Sequence, residues 1–242
     1  VFRVIGTGRA AIGIRDSSRV YLADGSGTNV LSARADGLYD LKLPAPQGPR
    51  VTASRHPDPN SWYKDDDVQF VWETPPGATA MSYALSTEPL TLPDDIPEGA
   101  RTSVLYHDLA SGTHYFHIKV FNSNSGWGGV THYQVNIDDD QPAEFSIEFN
   151  PGAKTTTRRP VAIFATTDVD SGISHYAVRV IPLSGSFGEA AEAGGQAPFF
   201  VEAASPFILP ELDLGSYDVV VRAYDAAGNF RDVQRHLWIR WG

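Results

Sequence analysis

The chain has 242 residues, with 19 Lys and Arg against 29 Asp and Glu and a formal net charge of −10. That balance works against nucleic acid, whose phosphates need clustered cations, and it suits divalent cations instead. With Gly 22, Pro 17, many short apolar runs and no apolar stretch long enough to cross a bilayer, the composition argues against a membrane span and for turn-rich, all-β structure. Zero Cys and a single Met fit an exported bacterial protein held together by packing rather than disulfides. With neither an initiator Met nor a signal peptide, the sequence reads as a processed chain or an excised fragment.

Residues 1–46 alternate in short apolar bursts at Val1–Ile5, Ala10–Ile14, Val20–Leu22, Val30-Leu31 and Leu38–Leu43. Gly6-Thr7-Gly8, Asp24-Gly25-Ser26-Gly27 and Asp36-Gly37 separate them, and this is hairpin chemistry because glycine accepts positive φ. Four or five small strands make a poor core on their own. The run RAAIGIRDSSRVYLADGSGTNVLSARADGLYDLKL resembles the C-terminal strands of a cohesin-like jelly-roll domain. The resemblance implies that most of such a domain lies outside this chain or is supplied by another one.

Leu43-Pro44-Ala45-Pro46-Gln47-Gly48-Pro49 reads as a stiff, extended linker. A sandwich pattern follows over 47–138, with strands expected at Val51–Ser54, Val68–Trp72, Met81–Ser86, Thr102–Tyr106, Tyr115–Phe121 and Val130–Ile137. LASGTHYFHIKVFNSNSGWG and FVWETPPG resemble a fibronectin type III domain. That family's Leu-x-x-Gly-Thr-x-Tyr spacing would put Tyr115 at the corner of the sandwich. The alternation instead sends Phe116, Ile118 and Val120 inward, so His114 is expected to hold the corner.

The pattern repeats over 139–242, with strands expected at Phe145–Phe149, Val161–Ala165, Tyr176–Ile181, Phe199–Glu202, Phe207–Leu209, Tyr217–Tyr224 and Val233–Ile239. Leu212, Gly215 and Tyr217 stand at tyrosine-corner spacing. TTDVDSGISHYAVRV with RAYDAAGN resembles the Ig-like modules of bacterial surface proteins. The Gly-, Ala- and Glu-rich insert Gly185–Gln196 is read as a loop.

The junction between the two patterns, Ile137-Asp138-Asp139-Asp140-Gln141-Pro142, cannot be the inside of a strand: its charges repel and Pro142 has no N–H to give a ladder. In a sandwich of this topology the start of the first strand, the loop after the second and the last hairpin share one pole. That would gather Asp138, Asp139, Asp140, Asp168, Asp170, Asp225 and Asn229. Hard oxygen ligands in that number suit Ca²⁺, and DDDQPAEF resembles the calcium-binding linker of cadherins, though without the linker's Asn. The competing reading is that Asp and Gly simply make good turns, with Asp225–Asn229 an ordinary hairpin loop. Asp24–Asn29 has the alternating oxygens of an EF-hand loop but no Glu at the twelfth position, so it reads as a turn.

Trp62, Tyr63 and Trp127 are expected in loops, where they would pack between domains or stack on a glycan. The seven histidines show no zinc pattern, and His117, alternating with Phe116 and Ile118, is expected to face solvent. No nucleophile elbow and no phosphate-binding loop stands in the context that its chemistry requires. The sequence therefore reads as a non-enzymatic, extracellular, structural or adhesive segment of a bacterial cell-surface protein. Its partners would be neighbouring domains of the same protein or identical subunits, joined into filaments through the N-terminal strands. The alternative is a carbohydrate-binding accessory module of a secreted glycan-active protein.

Overall fold

In the computed structural model, residues 4, 6, 8–41, 45–183 and 199–242 are described. Every regular element among them is a strand, so the all-β expectation holds. The insert 185–196 and most of the Val1–Ile5 run lie outside the described residues.

Near the N-terminus, β1 (Gly8–Ile12) and β2 (Gly37–Leu41) form an antiparallel ribbon from Gly8↔Leu41 to Ile12↔Gly37. Between them the expected strands at Val20–Leu22 and Val30-Leu31 reduce to one bridge, Tyr21↔Asn29. No residue of 8–41 is buried, and Leu38, Tyr39, Tyr21 and Val20 are each more than half exposed. A two-stranded ribbon with no covered face is marginal in water.

The next strands are β3 (Val51–Ala53), β4 (Trp62–Tyr63), β5 (Val68–Trp72), β6 (Ala80–Ser86), β7 (Ser103–Tyr106), β8 (Gly112–Asn122), β9 (Gly126–Trp127) and β10 (Thr131–Ile137). One sheet has the order β3-β5-β7 and the other β4-β10-β8-β6, with β9 on the end of β8. Period-two burial on β5 sends Val68, Phe70 and Trp72 inward to meet Phe116, Ile118 and Val120 of β8. The Phe70 and Phe116 rings stack at 4.4 Å at the centre of this core.

A second set follows: β11 (Glu148–Asn150), β12 (Lys154–Thr155), β13 (Val161–Ile163), β14 (Ile173–Pro182), β15 (Val201–Ala203), β16 (Phe207–Ile208), β17 (Gly215–Asp225) and β18 (Phe230–Ile239). Its sheets have the orders β11-β13-β16 and β12-β18-β17-β14-β15. Its core of Ile147, Phe164, Leu209, Val219, Val221, Leu237 and neighbours shares no residue with the first.

Both sets use the same two devices. The first strand of each breaks and changes sheets: β3 pairs β5 while β4 runs parallel to β10, and β11 pairs β13 while β12 runs parallel to β18. Pro57 and Pro59 interrupt the first case and Pro151 the second, since proline cannot donate to a ladder. Each set also has a corner: Tyr217 donates its hydroxyl to Asp213 O at 2.9 Å, and His114 Nε2 meets Ala110 O at 2.7 Å. The preceding glycines, Gly215 and Gly112, have φ of 148° and 129°, which a side chain would resist. Histidine thus replaces tyrosine at the first corner, as the alternation required.

The described part of the linker, residues 45–49, is fixed rather than loose. Gly129 N donates to Pro46 O at 3.0 Å and Thr131 Oγ1 to Pro49 O at 2.7 Å. A Cβ on Gly128 would collide with the Pro46 carbonyl, a backbone atom that cannot swing aside. Gly128→Ala is expected to lift residues 45–48 away and to cost about 1–3 kcal/mol. Hydrogen exchange checks it: the Gly129 amide should lose protection while Val135 keeps its own.

The expectation for His117 fails. His117 is fully buried, not solvent-facing. The connection between β6 and β7 lies across the outer face of the sheet, held by Ser82 Oγ to Asp94 Oδ1 (3.2 Å), Lys119 Nζ to Asp95 Oδ1 (2.6 Å) and Glu98 N to Met81 O (2.9 Å). Alternation chooses the face, but a covering strap decides whether that face is wet.

Candidate functional site

Asp138 ends the first sandwich and begins the second. Its amide donates to Tyr63 O at 2.9 Å, extending the β4–β10 pairing by one residue. Its own carbonyl accepts from Asn229 Nδ2 at 2.7 Å, and its Oδ2 accepts from Ser171 N at 3.2 Å. The residue is 0% exposed.

Two further carboxylates reach it from distant parts of the chain. Asp168, in the connection between β13 and β14, accepts from Ser171 N (3.0 Å) and Gly172 N (2.9 Å), which fold the loop around it. Asp225, the last residue of β17, is 2% exposed and takes Asn229 N on Oδ1 at 2.8 Å. One carboxylate oxygen each from Asp138, Asp168 and Asp225 lies within 4.8 Å of the others, and a second group, Asp138, Asp140 and Asp170, meets the same limit. The hairpin reading of Asp225–Asn229 and the cluster reading are therefore compatible: the turn, closed by Asp225 N to Asn229 O at 3.1 Å, is what aims Asp225.

The electrostatics are unfavourable as the side chains stand. Burial raises the Asp138 carboxyl above its ordinary range; the Ser171 hydrogen bonds oppose this, while the neighbouring charges of Asp168 and Asp225 add to it. Asp225 Oδ2 is buried with no hydrogen-bond partner. Among the described residues no Lys, Arg or His pairs with any carboxylate of the cluster.

The structure leaves two of the expected cluster residues outside it. Asp139 turns back to the first sandwich, where Ser111 Oγ donates to its Oδ1 at 2.6 Å and its own amide donates to Ser111 Oγ at 3.2 Å. Asn229 spends its side-chain amide on the Asp138 carbonyl. Sequence reasoning missed Ser171, whose single N–H serves both Asp138 and Asp168. Its signal was the spacing Asp168-x-x-Ser171-Gly172.

The aromatic residues stand in short strands rather than loops. Trp127 in β9 packs edge-on to Phe121 at 5.3 Å, with Lys119 Nζ 4.8 Å from its ring centroid. Tyr63 in β4 takes Asp58 N on its hydroxyl at 2.9 Å and stands edge-on to His56. Trp62, beside it, is half-buried. Asp24 caps its own turn through Ser26 N at 2.9 Å, as a plain turn requires.

His117 Nε2 meets Ser86 Oγ at 2.9 Å and its Nδ1 meets His132 Nδ1 at 2.6 Å. Ser86 Oγ also accepts from Glu88 N and shares a hydrogen bond with Thr91 Oγ1, so it works as an anchor of the strap.

No protein-family model and no curated protein matches the chain. Among solved structures it is similar to the Clostridium thermocellum CbhA fibronectin(III)-like modules, with a TM-score of 0.40 and 11% identity over 79% of this chain and 95% of that one.

Proposed function

We propose that this chain is a non-enzymatic, extracellular structural segment of a bacterial surface protein. It comprises a partial N-terminal β segment (1–46), a fibronectin-type-III-like sandwich (47–138) and an Ig-like sandwich (139–242), and it serves as a spacer with a stiff joint. The observation that carries the reading is the double engagement of Asp138: its amide is bound by the first sandwich, and its carbonyl and carboxylate by the second. A free tether would leave those groups to water. Small-angle scattering tests the stiffness against a variant with three glycines inserted between Asp140 and Gln141. The native chain should give the narrower distance distribution, and equal breadth would overturn the stiff joint.

The uncovered N-terminal ribbon supports association through that end, since exposed apolar strands are completed by pairing. Sedimentation should show concentration-dependent association that the paired substitutions Leu38→Lys and Tyr39→Lys abolish. A native chain that stays monomeric at high concentration would remove self-assembly from the account.

A further inference from the structure

The geometry points to a calcium site inside the joint, made by Asp138, Asp168 and Asp225, with Asp140 and Asp170 at its mouth. It rests on the reading of Asp138 as the joint only for its mechanical consequence; the chemistry of the site stands alone.

Three carboxylates converge within 4.8 Å, and two of them, at 0% and 2% exposure, are withdrawn from water. Buried charge of one sign is costly unless something of opposite sign neutralises it, and no cationic side chain does so among the described residues. The second observation is Asp225 Oδ2, which is buried and unpartnered on a residue whose carboxylate belongs to the converging set. Every other buried carboxylate oxygen here has a use: Asp138 Oδ1 accepts from Asp140 N, Asp138 Oδ2 from Ser171 N, and Asp225 Oδ1 from Asn229 N. These N–H donors fix the carboxylates and still leave lone pairs for a metal.

The donor set names the class of ion. It is all hard oxygen, without nitrogen or sulfur, which sets aside zinc and copper. Mg²⁺ demands a near-ideal octahedron, keeps several of its waters and is usually held by one or two carboxylates, fewer than converge here. Ca²⁺ accepts 6–8 oxygens at irregular angles, carboxylates included. A bound ion would tie together three pieces of chain: the joint at Asp138, the loop ahead of β14 and the β17–β18 hairpin.

The test uses the whole chain, stripped with chelator and dialysed at pH 7.5, then titrated with CaCl₂ by calorimetry and melted with and without calcium. One ion should bind, and the melting of the second sandwich should rise by about 10 °C at a hundredfold excess over the dissociation constant. Asp225→Asn keeps an oxygen for Asn229 N while removing one charge. It should melt no lower than the native protein without calcium and show no calcium response. Asp168→Asn, nearer the surface, should also lose the response, and it gives the same reading if Asp225→Asn fails to fold. Absence of binding heat and of any shift at about 5 mM calcium, above the weakest range of extracellular sites, would overturn the proposal. An undiminished response in the Asn variants would do the same, and an equal shift with Mg²⁺ would overturn the assignment to calcium. Binding of calcium without narrowing of the scattering distribution would fault the stiff joint and leave the site standing.

Discussion

Phe116→Ala should sharply lower the melting temperature of the first sandwich while the second keeps its own. Phe116 is fully buried and is the hub of the aromatic core: it stacks on Phe70 at 4.4 Å and lies 5.7 Å from Trp72, 5.7 Å from Tyr83 and 6.4 Å from Tyr106. Truncating such a residue costs about 3–5 kcal/mol, because the walls of the cavity cannot close over the loss. A domain of this size holds only about 5–15 kcal/mol in total. The second core, centred on Val219, Val221 and Leu237, shares no side chain with the first, so it should not register the change. Differential scanning calorimetry is the measurement. Two resolved transitions, only the first displaced, are expected. A single transition displaced as a whole would mean that the chain melts as one unit and that Asp138 is no domain boundary.

Where the sequence could be read, it was read through period-two burial. Phe116, Ile118 and Val120 were legible as inward residues because they alternate along one expected strand between turn residues, and all three are fully buried. The two corners were legible because Leu212, Gly215 and Tyr217 stand at tyrosine-corner spacing and because the inward alternation of Phe116, Ile118 and Val120 leaves His114 for the first corner. The convergence of Asp138, Asp168 and Asp225 followed from topology alone, since the relevant loops of a sandwich share a pole. Three things were hidden, each for a physical reason. The short strands β4, β9 and β12 contain two residues each, too few to carry a period. The orientation of Asp139 depends on one serine, Ser111, 28 positions away. Burial of His117 depends on a strap, residues 87–102, whose Leu90, Leu92 and Ile96 point outward and give it the look of an ordinary loop.

That strap makes the stability of the first sandwich depend on pH. Burial, reinforced by the neighbouring imidazole of His132 and partly offset by a backbone hydrogen bond at Glu88, lowers the His117 pKa below the ordinary 6.5. The unfolded chain therefore takes up the proton more readily than the folded one. Stability is fully present above pH 6.5 and falls as pH drops below it toward the folded pKa, with a slope of at most about 1.4 kcal/mol per pH unit for one proton. The groups facing His117 are the Ser86 hydroxyl on β6, with Thr91 of the strap beyond it, the Glu88 backbone of the strap, Tyr115 stacked at 6.4 Å on its own strand, and His132 on β10. None is a carboxylate that could welcome the charge. Between pH 7 and pH 5 the first transition should move down in the native protein and move less in His117→Gln, whose amide can still reach Ser86. The second transition serves as internal reference. Parallel pH profiles for native and variant chains would show that His117 keeps no proton out, and that the strap sits on the sheet as comfortably over a charged ring as over a neutral one.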